Sequence, residues 1–103
     1  MTARKTVLLL FFALSACVST KPPTSDLVLA DAALKAAERA QAERRSPDLY
    51  NRAQNAFWKA KTLYVGREFE EASKLALEAR RLAERAEIDS EVKNAQISSN
   101  FGE

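Results

Sequence analysis

The chain has 103 residues, enough for one small domain, and it contains no histidine, the commonest general base and metal ligand. Its single cysteine excludes an intramolecular disulfide framework and a cysteine-based zinc site. The formal charge is +2, but 14 basic and 14 acidic side chains remain once Arg4 and Lys5 are set aside, so charge does not favour nucleic acid as a partner.

Residues 1–16 have the order of a secretory signal peptide. Arg4 and Lys5 come before an uninterrupted apolar run from Val7 to Leu14, which is followed by small residues. A run of eight apolar residues is too short for a membrane-spanning helix, which needs about 20. We therefore expect residues 1–16 to be a signal that is removed.

The signal ends in Leu14-Ser15-Ala16-Cys17, which resembles the lipobox of bacterial lipoproteins. This resemblance implies cleavage just before Cys17, a diacylglycerol on its thiol and an acyl chain, such as palmitate, on its new amino group. Because stable anchoring takes two lipid chains, such a cysteine would hold the protein to a membrane. The alternative is an ordinary signal peptide with a coincidental cysteine.

Residues 17–25 are predicted to be the lipidated cysteine and a short tether, in which Pro22-Pro23 cannot lie inside a helix. The segment from Val18 to Thr24 spans at most about 25 Å when fully extended. The residue after Cys17 is valine, not the aspartate that retains lipoproteins in the inner membrane of enterobacteria. This favours the periplasmic face of the outer membrane, with the inner membrane as the alternative.

The helical domain is predicted over residues 26–97, with helices at about 26–45, 47–65 and 68–95 and a flexible tail at 98–103. The Ser46-Pro47-Asp48 sequence is typical of a helix start, with an N-cap hydroxyl, a proline in the first turn and an acidic residue. Gly66 is expected to end the second helix in a left-handed conformation. Alanine-rich apolar stripes recur at helical spacing, so the predicted fold is all-α, a small three-helix antiparallel bundle.

Two family resemblances follow from this pattern. The stretch from Ala53 to Ala79, with Gly66-Arg67-Glu68-Phe69-Glu70-Glu71-Ala72 at its centre, looks like one tetratricopeptide-type helical hairpin. One hairpin is fewer than the three or more repeats that such solenoids need. The order of lipobox, alanine-rich helix, Ser46-Pro47 helix start and Gly66 turn resembles the bacterial lipoproteins of domain of unknown function 4398. That resemblance implies a location in the cell envelope and assigns no catalytic residues.

No catalytic, metal or cofactor site is predicted. Carboxylates such as Glu68, Glu70, Glu71 and Glu78 are expected on exposed helical faces beside lysine and arginine, and the chain has no glycine-rich phosphate loop. The sequence therefore favours a protein that is not an enzyme.

Tyr50 and Trp58 are the candidate partner surface. For Trp58, packing against the first helix, an aromatic contact for a partner protein and contact with the membrane interface remain open. The leading hypothesis is a lipid-anchored helical interaction or structural accessory module with an envelope protein as partner. The alternatives are a self-associating structural protein and a small periplasmic inhibitor. The partner and the oligomeric state cannot be derived from the sequence.

Overall fold

The fold is given by a computed structural model that describes residues 24–102. The predicted signal peptide, the predicted lipid site Cys17, the lipobox residues Leu14, Ser15 and Ala16, and most of the predicted tether lie outside the described residues. Four α-helices cover nearly all of the described part: α1 (Thr24–Arg39), α2 (Ala42–Arg45), α3 (Pro47–Val65) and α4 (Phe69–Phe101). Residues 24–102 contain no β-strand, so the all-α prediction is confirmed.

The three long helices form an up-down-up bundle in which α4 packs against both α1 and α3. The hydroxyl of Ser73 near the start of α4 donates to the carboxylate of Asp26 near the start of α1, at 2.9 Å. At the other end, the side chain of Asn94 donates to the carbonyl oxygen of Ala40, at 2.9 Å. The first helix therefore docks on the hairpin and runs parallel to α4, a point that the sequence leaves open.

Alanine dominates the core, because small side chains let the helix backbones approach closely. Among the described residues, the buried hydrophobic side chains larger than alanine are Leu34, Tyr50 and Leu82. Partly buried leucine and phenylalanine side chains close the edges, namely Leu27, Leu49, Phe57 and Leu75. Such an interface leaves little room for enlargement, since extra methylenes in a packed core cost about 1–3 kcal/mol.

The prediction of one continuous helix over 26–45 is wrong, because the chain breaks after Arg39. Gln41 takes a left-handed conformation with φ of 64°, and α2 then begins at the fully buried Ala42. Side chains of α4 satisfy the carbonyl groups around this break: Asn94 binds Ala40, and the Lys93 ammonium donates to the carbonyl oxygen of Arg45 at 2.6 Å. The break contains no glycine or proline, and a side chain from a distant part of the sequence satisfies its Ala40 carbonyl group.

The turn between α3 and α4 also differs from the prediction, because Gly66 is not left-handed. Its φ is −76°, and Arg67 takes the left-handed conformation with φ of 63°. The amide of Glu68 donates to the carbonyl oxygen of Leu63 at 2.9 Å, and the amide of Arg67 donates to that of Tyr64 at 3.0 Å. This pair of hydrogen bonds is a Schellman motif with an arginine where glycine is usual.

The last helix ends at Phe101, beyond the predicted end at residue 95 and inside the segment 98–103 that was predicted to be a tail. Its 33 residues give it a length of about 50 Å, against about 28 Å for the 19 residues of α3. Adding a residue to an existing helix needs no new nucleus, so a serine- and asparagine-rich segment can continue one.

Candidate partner-binding groove

A shallow groove runs between α3 and α4, and residues of these two helices alone line it. Its floor contains Ala56, Leu75 and Leu82, and its rims carry the polar side chains of Arg52, Asn55, Lys59 and Glu78. We call this surface the α3–α4 groove. An apolar floor between polar rims is the arrangement that accepts an amphipathic helix or peptide.

The rims of the groove carry three charged side chains. Arg52 and Lys59 stand seven residues apart on α3, and Glu78 lies on the α4 side of the groove. The ion pairs formed within residues 24–102 involve none of these three side chains. As far as the described residues are concerned, the groove therefore presents two unpaired cations on one rim and one unpaired carboxylate on the other.

Trp58 lies at one end of this groove and is 60% exposed. It lines a second, mainly apolar hollow together with Lys59, Thr62, Leu63 and Leu75. The Lys61 ammonium lies 4.5 Å from the centre of the indole ring, a cation–π contact worth about 0.5–1 kcal/mol at an exposed site. Because the ring is mostly exposed, the alternative that Trp58 is buried against the first helix does not hold.

Tyr50 is a core residue, so the structure does not support its place in the candidate partner surface. Its side chain is only 3% exposed and packs in the cluster that joins α1, α3 and α4. The phenol donates to the carboxylate of Glu38 at 2.8 Å and accepts from the amide of Gln54 at 3.0 Å. Burial, followed by the hydrogen bond to Glu38, raises the pKa of Tyr50 to about 12.

The structure does not bring Tyr50 and Trp58 together, and the sequence analysis missed the rim residues beside Trp58. Arg52, Asn55 and Lys59 recur at intervals of three and four residues, which places them on one face of α3. This spacing can be recognised in the sequence alone. The matching position of Glu78 depends on the register between α3 and α4, which only the packing defines.

A second polar cluster joins the start of α3 to α4. The Ser46 hydroxyl donates to the Asp89 carboxylate and accepts from the Ser90 hydroxyl at 3.1 Å. It makes no capping hydrogen bond to α3, contrary to its predicted role as N-cap. The hydrogen bond from Ser46, together with the nearby Lys93, lowers the pKa of Asp89 below its usual value.

This cluster stabilises the bundle and is not a catalytic arrangement. Ser46 and Ser90 are buried, so a substrate has no access to either hydroxyl. A carboxylate with a lowered pKa is also a poor base for activating a serine. The cluster therefore links α3 to α4 next to the break between α1 and α2.

Residues 24–102 contain neither a candidate metal site nor a candidate membrane span. Residues 24–102 bring together no group of three or more acidic or thiol side chains that could hold a metal ion. Within this range, no helix is both long enough and apolar enough to cross a membrane.

Comparison with known proteins identifies the family. No curated protein and no solved structure matches the chain. The family model described as Domain of unknown function (DUF4398) matches residues 25–99, which include all of α2 and α3 and nearly all of α1 and α4. Because this match covers well over half of the sequence, the chain belongs to the DUF4398 family.

Proposed function

We propose that this protein is a lipid-anchored adaptor of the bacterial envelope, which binds an amphipathic helical segment of a partner protein in the α3–α4 groove. The observation that carries the proposal is the apolar floor of Ala56, Leu75 and Leu82 beneath the unpaired cations of Arg52 and Lys59. The lipobox resemblance at Cys17 supports the anchor. The protein has no catalytic role in this proposal.

The charges of the groove indicate the chemistry of the partner. A helix lying along the floor would present apolar residues three and four positions apart. Acidic residues on one flank would pair with Arg52 and Lys59, and a basic residue on the other flank would meet Glu78. Charge pairs at such a rim mainly set the orientation and specificity of binding and the association rate, while the apolar contacts supply most of the affinity.

Site-specific photo-crosslinking in the producing cell tests this proposal. A photoreactive residue at Asn55, between the two cations, should capture one defined protein, whereas the same residue at the exposed Lys35 of α1 should not. Lys59→Glu should abolish the Asn55 adduct, and Lys35→Glu should leave it unchanged. Identical adducts at both positions, or an Asn55 adduct that survives Lys59→Glu, would show that the groove is not the binding surface.

The anchor needs a separate measurement. We expect the mass of the membrane-extracted protein to correspond to a chain that begins at Cys17 and carries acyl groups. A Cys17→Ser variant should lack this mass and leave the membrane fraction. A wild-type protein with a free thiol at Cys17 would refute the anchor without affecting the groove.

Self-association is the second candidate function, and one exposed face of α4 favours it. Ile88 is 62% exposed, and Val92, Ala95 and Ser99 continue its face at intervals of four, three and four residues. The alanine stripe of α1 gives no support, because α4 already covers it. Sedimentation of the detergent-solubilised protein decides the question, since a dimer that Ile88→Ser dissociates would replace the adaptor proposal.

A further inference from the structure

One end of the bundle contains both the start of α1 and the turn between α3 and α4. The Ser73 hydroxyl at the start of α4 binds the Asp26 carboxylate at the start of α1, so Thr24 lies near this turn. We call this region, made of residues 24–29 and 64–69, the tether end. The predicted lipid site at Cys17 is only seven residues before Thr24.

The tether end exposes several large apolar side chains. Val65 at the end of α3 is 82% exposed, and Phe69 at the start of α4 is 44% exposed. Tyr64 lies edge-on to Phe69, with ring centres 5.3 Å apart. On α1, Val28 and Leu29 are exposed as well. Aromatic rings with aliphatic neighbours are the side chains that favour the boundary between lipid and water.

The charges at and beside this end are only partly balanced, since four acidic side chains (Asp26, Glu68, Glu70 and Glu71) stand against two basic ones (Arg67 and Lys74). Lys74 lies 3.8 Å from Glu70 and 3.3 Å from Glu71, and Arg67 adjoins Glu68 in the turn. Each pair that forms lowers the net negative charge of this end and so weakens its repulsion from anionic lipid headgroups. The remaining polarity keeps the contact at headgroup depth.

We propose that the tether end rests on the membrane surface, so that the bundle stands upright with the tip of α4 directed away from the bilayer. This inference rests on the lipid anchor of the proposed function. A lipidated Cys17 would keep Thr24 within about 25 Å of the bilayer, because a residue spans at most about 3.6 Å. Of the two ends of the bundle, the one near Thr24 is also the end with the exposed aromatic turn.

In an upright bundle, Val65, Trp58 and Phe101 lie at increasing distances from the membrane. Trp58 comes seven residues before Val65 on the same helix, so it would lie about 10 Å farther from the membrane than Val65. Phe101 at the end of α4 lies about 50 Å from the turn. The α3–α4 groove then begins just above the headgroups and extends upward, open to a partner in the aqueous space.

The single tryptophan of the chain makes the orientation measurable. The full-length lipidated protein is reconstituted into vesicles of phosphatidylethanolamine and phosphatidylglycerol with brominated acyl chains, which quench nearby indole fluorescence. Three proteins are compared: the wild type, Trp58→Phe with Val65→Trp, and Trp58→Phe with Phe101→Trp. All three positions are exposed, so the substitutions leave the core intact, and circular dichroism verifies the helix content.

Quenching should decrease in the order of position 65, position 58 and position 101. The Val65→Trp protein should lose roughly half of its emission or more, because an interfacial side chain lies within about 5–10 Å of the acyl boundary. The Phe101→Trp protein should lose none. In the wild type, Val65→Asp should reduce the quenching of Trp58, whereas Val92→Asp near the other end should not.

Equal quenching at all three positions would indicate a bundle lying flat and would overturn the proposal, as would strongest quenching at position 101. The absence of quenching at every position would overturn it too, if mass spectrometry of the same sample finds lipid on Cys17. A Cys17 without lipid would refute the anchor itself, and the orientation with it. The crosslink at Asn55 reports on the groove independently of all these outcomes.

Discussion

The stability of this bundle should decrease as the pH rises into the alkaline range, because the buried phenol of Tyr50 resists ionisation. The variant Tyr50→Phe isolates this effect. Tyr50 is buried among α1, α3 and α4, and its hydroxyl connects Glu38 to Gln54. Phenylalanine keeps the ring and its packing but removes both hydrogen bonds. At neutral pH we expect the variant to be less stable by about 1–2 kcal/mol, because two hydrogen bonds are lost and each contributes about 1 kcal/mol net.

At high pH, Tyr50→Phe should become more stable than the wild type. The pKa of Tyr50 is about 12 in the folded protein, against an ordinary value of 10.0. Its hydroxyl therefore ionises first in the unfolded chain, so its contribution to stability is complete below pH 10 and is lost as the pH rises towards 12. The full loss is about 3 kcal/mol, and about half of it has occurred at about pH 11.

Tyr50→Phe carries no such titration, so it should become the more stable protein between about pH 10 and about pH 12. Urea unfolding followed by circular dichroism, at about pH 8 and about pH 11, measures the difference. Tyr64→Phe is the matched control, because the Tyr64 hydroxyl has no hydrogen-bond partner within residues 24–102. If wild type and Tyr50→Phe lose stability in parallel, the phenol is not held in a buried, hydrogen-bonded environment and the reasoning is wrong.

Three further substitutions test the packing and the turns by thermal unfolding. Arg67→Gly should raise the free energy of unfolding by about 0.5–1 kcal/mol, since glycine adopts positive φ without strain. The control Gly66→Ala should change the free energy of unfolding little. The reverse result would place the left-handed residue at Gly66. Ala79→Leu should lower the free energy of unfolding by about 1–3 kcal/mol, because the larger side chain forces α4 away from its neighbours. Ala95→Leu, on the exposed part of α4, is the control. Equal effects of the two substitutions would contradict the close packing. Ser46→Ala should cost about 1–3 kcal/mol, because it leaves the buried Ser90 hydroxyl without its acceptor and removes one hydrogen bond to Asp89. An unchanged midpoint would show that the cluster contributes nothing.

Periodic patterns in the sequence are sufficient to predict the helical class of this protein. Alanine and leucine at intervals of three and four residues define the buried stripes, and Pro47 after Ser46 marks where α3 begins. Membership of the DUF4398 family could likewise be anticipated from the order of these elements. The lipid anchor at Cys17 and the envelope location stay predictions, because they depend on residues and processing that the fold does not describe.

The exposure of individual side chains was harder to predict, because it depends on the register between helices. Tyr50 and Trp58 are both aromatic, both lie on α3 and both adjoin its apolar stripe. One is buried because α1 brings Glu38 to its hydroxyl, and the other is exposed because the described part of the chain places no helix over it. The rims of the α3–α4 groove depend on the same register.

The sequence by itself determined where helices form, since helix propensity and apolar spacing act over a few neighbouring residues. The tertiary structure decided the break within the first predicted helix and the conformation of the turn after α3. At the break at Gln41, Asn94 from a distant part of the chain satisfies the carbonyl group of Ala40. The left-handed residue is Arg67, because the turn joining the two packed helices requires it there. Contacts of this kind join residues far apart in the chain, so no local pattern encodes them.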